Sequence, residues 1–208
     1  MRFGRTVVLT IVIFLASSAF VSADDKAPDK VIEEFHAALL AVMKEAKSLS
    51  AQERYTRLEP AVTAAFNLGL MIRVASGTAW RKTGEDQKKQ LTSAFHRMSV
   101  ANYAFRFKGY SGQKFETLKT DDGPRKMRLV YTQIVSPKKK KKDRVVKLTY
   151  VTKKFENGWR IVDILLAGGI SELAVKHSEY RTILRSKGAG ALAKMLNKKA
   201  DQLIAGWV

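Results

Sequence analysis

Apolar residues recur three and four apart through the first half of the chain, at every second position through much of the third quarter, and at helical spacing again to the end. Pro28 suits a first helical turn, and Val31, Phe35, Leu39, Val42, Met43 and Ala46 follow on one face, which predicts a helix to about Lys47. Ser50-Ala51-Gln52-Glu53 has the form of a capping box, so a second helix starts there. Pro60 lacks an amide hydrogen and crowds the preceding turn; that helix is therefore expected to end or kink at Pro60, with a strongly apolar one resuming over Ala61 to Val74. Thr83 opens a further helix to about Phe107, with Glu85 and Asp86 near its positive end.

From Gly112 the period changes. Met127, Leu129 and Tyr131 alternate with Lys126, Arg128 and Val130, and Val146, Leu148 and Tyr150 alternate with Lys147 and Thr149. The two runs predict an antiparallel hairpin whose long tip spans Ser136 to Asp143. Lys114 to Leu118 reads as an outer strand, and Asn157-Gly158 as a tight turn into a last strand, Trp159 to Leu166. Ser171 caps a helix to about Arg185, and a terminal helix with Leu192, Met195, Leu196 and Leu203 begins near Gly190. Helices, then an antiparallel sheet, then helices predict an α+β domain.

The N-terminus departs from these patterns. Arg2 and Arg5 precede an uncharged stretch, Thr6 to Phe20, followed by Val21-Ser22-Ala23 and the acidic pair Asp24-Asp25. This predicts a signal peptide (residues 1–23) cleaved after Ala23, the alternative being an uncleaved anchor. N-terminal sequencing of the exported protein would read the cleavage site directly. Cleavage leaves 185 of the 208 residues as one domain, 24–208, with a core held by packing alone, because the chain has no cysteine. The formal charge of +19 falls by two to +17 when Arg2 and Arg5 leave, so the surface seeks anions. In an exported protein those anions are phospholipid headgroups rather than nucleic acid.

Two blocks of residues carry a family resemblance. Phe66-Asn67-Leu68 with Gly77, Trp80-Arg81, Gln87, Phe95, Tyr103 and Tyr110-Ser111-Gly112 is similar to the MlaC (toluene-tolerance) family of periplasmic phospholipid-binding proteins. Trp159-Arg160-Ile161-Val162-Asp163-Ile164, then Gly168-Gly169-Ile170-Ser171-Glu172-Leu173-Ala174 and Ser178-Glu179-Tyr180-Arg181, resembles the hopanoid-associated HpnM branch. The resemblance runs from about Asp29 to Ala205; one departure is Asn67, where many relatives carry aspartate.

The resemblance implies a strongly curved antiparallel sheet and helices forming a cone, as in nuclear transport factor folds, around a lipid cavity. It implies a monomeric periplasmic carrier of phospholipid or hopanoid, without a cofactor. The carrier would pass its cargo between an inner-membrane MCE/ABC transporter complex and an outer-membrane lipoprotein or other lipid donor. Large apolar or aromatic side chains are available to line such a cavity: Phe66, Leu70, Met71, Trp80, Phe95, Met98, Tyr103 and Phe107 on helices, and Leu129, Tyr131, Leu148 and Tyr150 on the hairpin. Periodicity alone fits an ordinary packed core equally well.

Lys138, Lys139, Lys140, Lys141 and Lys142 at the hairpin tip read either as a solvated charge run or as a docking element for an anionic membrane or partner. No aromatic side chains are interleaved with them, so they lack the stacking platforms of a nucleic-acid site. Asp163, amid Ile161, Val162, Ile164 and Leu165, reads as a structural acceptor or, in an enzyme of similar cone fold, as a general base. His36, His96 and His177 have no metal-ligand spacing, and capping explains Ser171 better than nucleophilic chemistry. A basic docking protein without lipid cargo is the rival to the carrier reading.

Overall fold

The structure, a computed structural model, describes residues 26–166 and 169–206. Residues 1–23, the signal peptide expected from the sequence, lie outside them. Five helices come first: α1 (Pro28–Glu45), α2 (Ala51–Ala65), α3 (Leu68–Ser76), α4 (Ala79–Lys82) and α5 (Glu85–Arg106). The capping box forms as expected, with the Glu53 amide donating to Ser50 Oγ at 3.1 Å and the Ser50 amide to the Glu53 carboxylate at 2.7 Å. Thr83 does not cap α5; its hydroxyl donates to the Ala79 carbonyl at the end of α4, and Gly84 takes the cap position.

The interruption expected at Pro60 lies instead at Phe66–Asn67. Helix α2 runs through Pro60, which sits on the exposed face where water can take the carbonyl it leaves unpaired. Phe66 is extended and bridges in parallel to Ile161, while the Asn67 amide donates to the Ile161 carbonyl at 2.9 Å. Asn67 Oδ1 then accepts the Leu70 amide at 2.9 Å and caps α3. A neutral amide oxygen suffices for this role, so asparagine in place of aspartate leaves the cap intact. At the far end of α3, Gly77 has φ +56°, and a β-carbon there would lie 2.6 Å from the His177 ring, whose Nδ1 meets the Ala75 carbonyl.

The sheet is an antiparallel meander in sequence order: β1 (Lys114–Asp122), β2 (Arg128–Val135), β3 (Val145–Phe155), β4 (Gly158–Leu166) and the short β5 (Ile170–Ser171). Two bulges bend it. Leu118 is the extra residue between Thr117 and Lys119, and Val162 is the extra residue where Val151 faces Asp163 and Thr152 faces Ile161. The second bulge lets both Ile161 and Ile164 turn inward, which strict alternation forbids for residues three apart. Helix α6 (Glu172–Ala205) closes the fold along α5, and its non-helical break at Gly188 separates the two C-terminal helices expected from the sequence.

Arg54 on α2 is a buried cation with no carboxylate in ion-pair range among the described residues. Its guanidinium donates to Leu49 O at 2.6 Å, to Ala104 O at 3.0 Å and, more weakly, to Ala46 O at 3.5 Å. The Ala46 and Ala104 carbonyls lie at the C-cap of α1 and in the last turn of α5, the negative ends of both helices, and Leu49 lies in the turn between α1 and α2. Replacing Arg54 with Met keeps the apolar stem and strands the carbonyls, so unfolding in urea should show a loss of about 2–4 kcal/mol.

Candidate functional site

Between the helical layer and the concave face of the sheet lies a cavity of about 210 Å³. Phe66, Leu68 and Met71 wall it at the α2–α3 junction, and Phe95, Ser99, Asn102, Tyr103, Arg106 and Phe107 from α5 onward. Ile134, Val146, Leu148 and Tyr150 face it from β2 and β3, with Ile164 and Leu166 from β4. Glu172 and Lys176 at the start of α6 complete the wall. Apart from Ser99 and Asn102 the uncharged wall is apolar or aromatic, whereas the charged groups gather where the end of α5 meets the start of α6.

Seven of the sequence-predicted residues thus meet at one cavity: Phe66, Met71, Phe95, Tyr103, Phe107, Leu148 and Tyr150. Five do not. Leu129 and Tyr131 lie on the opposite face of β2, because the register pairs Val130 with Tyr150 and Thr132 with Leu148, leaving Leu129 opposite Val151 and Tyr131 opposite Thr149. Tyr131 instead sits under the Lys119 ammonium, 4.7 Å from its ring centre. Leu70 is one helical step, about 100°, away from Met71 on α3 and misses the cavity. Met98 packs between the main core and the small cluster of Ala101, Ala200 and Leu203. Trp80, on the single-turn α4, borders an open outer groove with Arg73, Arg81, Lys88 and Lys89, beneath the Lys88 ammonium.

Aromatic rings brace the cavity. Phe35 meets Phe66 and Tyr103 edge-on, each at 5.1 Å between centroids, and Tyr103 stacks on Phe107 at 6.0 Å. His36, not singled out by any sequence pattern, stands 4.7 Å from Phe115 and shares a 2.8 Å hydrogen bond with the Tyr150 hydroxyl. Burial lowers the His36 pKa from 6.5 to about 4 and raises those of Tyr103 and Tyr150, so all three are neutral near pH 7.

Asp163 does not line the cavity. Its Oδ1 accepts the amides of Ile164 at 2.8 Å and Leu173 at 3.1 Å, and its Oδ2 accepts the Ser171 hydroxyl at 2.5 Å. Ser171 Oγ in turn accepts the Ala174 amide at the start of α6. The carboxylate thereby fastens β4 to the first turn of α6, the structural role open to it from the sequence. Among the described residues no group of histidines and carboxylates could hold a metal ion, and no helix is long and apolar enough to cross a membrane.

The family model for MlaC protein matches residues 33–198, which hold every described wall of the cavity. The chain belongs to the MlaC family. Its fold matches a solved phospholipid-binding protein from Ralstonia solanacearum, in complex with a phospholipid, with a TM-score of 0.71 over 86% of this chain and 99% of that one. Identity is 16%, so the likeness speaks for the fold alone. No curated protein sequence matches the chain. The α+β architecture with a curved antiparallel sheet expected from the sequence is the one this MlaC family member adopts.

The buried imidazole carries a pH dependence. The unfolded chain takes up a proton on His36 from about pH 6.5 downward, whereas the native state does so only near pH 4. Stability present above pH 6.5 is therefore lost as pH falls from 6.5 to 4, by about 3 kcal/mol. His36→Gln should flatten that part of the stability profile in denaturant titrations, most clearly above pH 5, where few carboxylates titrate.

Proposed function

We propose that this protein is an exported lipid carrier that holds acyl or polycyclic tails in the cavity between α5 and the sheet. The observation that carries the reading is an apolar, aromatic-walled cavity with its charges confined to one rim, in a member of the MlaC family. At about 210 Å³ the cavity is smaller than the ~300–1,000 Å³ usual for small-molecule sites, so loading requires wall side chains to move aside. Cleavage after Ala23 would release the domain into the periplasm. There it would exchange phospholipid or hopanoid with an inner-membrane MCE/ABC transporter complex and an outer-membrane lipoprotein. An enzymatic reading lacks support, since Asp163 is spent on fastening β4 to α6.

The lysine run fits the same reading. Lys138 to Lys142 are exposed at the tip of the β2–β3 hairpin, and the pair Ile134–Val146 next to that tip lines the cavity. A charged tip at this end would bring the cavity against an anionic surface. Replacing the five lysines with serine should slow lipid transfer to anionic vesicles at low salt, with little difference once the Debye length falls to about 8 Å near physiological salt. Equal rates at low salt would leave the run a solvated tip.

Native mass spectrometry of the protein from its own periplasm, with and without Leu148→Trp, tests the carrier itself. A co-purifying lipid that the tryptophan displaces while the protein stays folded supports it. A Leu148→Trp protein that retains its full lipid content, yet loses the roughly 1–3 kcal/mol of an overpacked core, would remove this wall from the site. Wild-type protein that carries no lipid but binds polyanions tightly would favour the docking rival.

A further inference from the structure

One end of the sheet presents much of its apolar surface to water. Strand β1 starts there, β2 ends and β3 starts, in the register Lys114 to Val135 to Val145, and β4 ends close by, with Leu165 opposite Thr149. Seven large apolar side chains are exposed among the described residues, and four of them, Val145, Val146, Ile170 and Val175, lie at this end. Val146 is 43% exposed yet lines the cavity, so the cavity opens beside it. Ile170, 58% exposed, pairs with Leu166 of the cavity wall, and Val175, 43% exposed, stands one place before Lys176 of the same wall. Tyr110, a fifth, precedes by two residues Gly112, where a β-carbon would lie 3.1 Å from Pro137 at the foot of the hairpin tip.

The same end is strongly basic: from Lys138 to Lys147 seven cations stand against one carboxylate, Asp143. Exposed apolar side chains clustered within such a polar surround mark a contact surface. The cations call for a partner that bears anions. The valine and isoleucine side chains stand around an opening rather than along a groove, which suits a fluid apolar medium better than a peptide that keys into pockets. An anionic bilayer answers both, with phosphates at its surface and acyl chains just beneath. We propose that this end is a membrane-docking face, in which Val146, Ile170 and Val175 enter the headgroup layer of an anionic bilayer while the lysine tip holds the phosphates around them. The proposal rests on the carrier reading for its purpose, since a mouth seated in the bilayer lets a lipid pass to or from the cavity without crossing water.

The chain has no cysteine, so Ile170→Cys and Val175→Cys each give a single site for an environment-sensitive fluorophore. Glu156→Cys, at the turn joining the other ends of β3 and β4, is the control. On phosphatidylcholine vesicles containing phosphatidylglycerol, the labels replacing Ile170 and Val175 should shift to the blue and be quenched by nitroxide lipids. The label replacing Glu156 should stay aqueous. Ile170→Ser combined with Val175→Ser removes exposed side chains outside the cavity wall, so unfolding midpoint and retained lipid should match wild type while vesicle affinity falls about tenfold. That fall should persist at physiological salt, unlike the loss caused by serine in place of the lysine run. Labels that stay aqueous on vesicles with which the protein sediments, or wild-type affinity in the double variant, overturn the proposal, as does wild-type protein that does not bind these vesicles. A blue shift that needs no vesicle and grows with protein concentration gives the face to a second copy, and one seen only on native membranes and abolished by protease gives it to a protein partner. Either result overturns the bilayer assignment. Cargo is read separately by native mass spectrometry: protein that docks as expected but carries no lipid fails the carrier reading and leaves the docking face standing.

Discussion

The two residues at which α2 stops being a helix set the geometry of the rest. Phe66 must be extended for its backbone to bridge to Ile161, and Asn67 must spend its amide on the Ile161 carbonyl and its side chain on the start of α3. This is where the helical layer is joined by backbone hydrogen bonding to the sheet. Sewn there, α3 and α5 are held over the concave face, and the side chain of Phe66 is delivered to the ring cluster of Phe35 and Tyr103. A continuous helix from Ala51 to Ser76 would lose the bridge and carry Phe66 elsewhere.

Much of this was legible in the sequence, and the two misses on the hairpin, Leu129 and Tyr131, share a cause. On α5 a 100° period picks one stripe, and Phe95, Tyr103 and Phe107 fall together at the cavity, whereas Met98 turns to the neighbouring cluster. Strand alternation only divides residues into two sets. In β2 both sets contain apolar groups, Leu129 and Tyr131 against Val130 and Ile134, and the inward set also holds the polar Thr132. Pairing with β3 decides between them, and no single-strand pattern contains that information. The Val162 bulge was equally invisible, although it is what turns Ile164 toward the cavity.

The charged wall residues and His36 were missed for a different reason. Arg106, Glu172 and Lys176 are ordinary polar residues of amphipathic helices until the end of α5 and the start of α6 converge. His36 follows Phe35 on α1 and reads as a polar neighbour of the core stripe, yet a partner 114 residues away satisfies it. Arg54 likewise looks like a surface arginine after a capping box, while its work is to fill carbonyls at the end of α5 and in the α1–α2 turn. Long-range partners turn His36 and Arg54 into interior side chains. Both are buried with their hydrogen bonds made, the condition under which burial is tolerated.

The outer edge of the sheet has a bearing on how this protein survives crowding. Among the described residues β1 pairs with β2 alone, and an open row of amides and carbonyls is a template for pairing with another chain. Here the row is short of regular register, since Leu118 is bulged between Thr117 and Lys119, and it is studded with Lys114, Glu116, Lys119, Asp121 and Asp122. A second copy approaching edge to edge would meet a kink and a mixed set of charges to bury. The strand nearest solvent is thereby a poor seed for fibres, which suits a protein whose concave face must stay apolar.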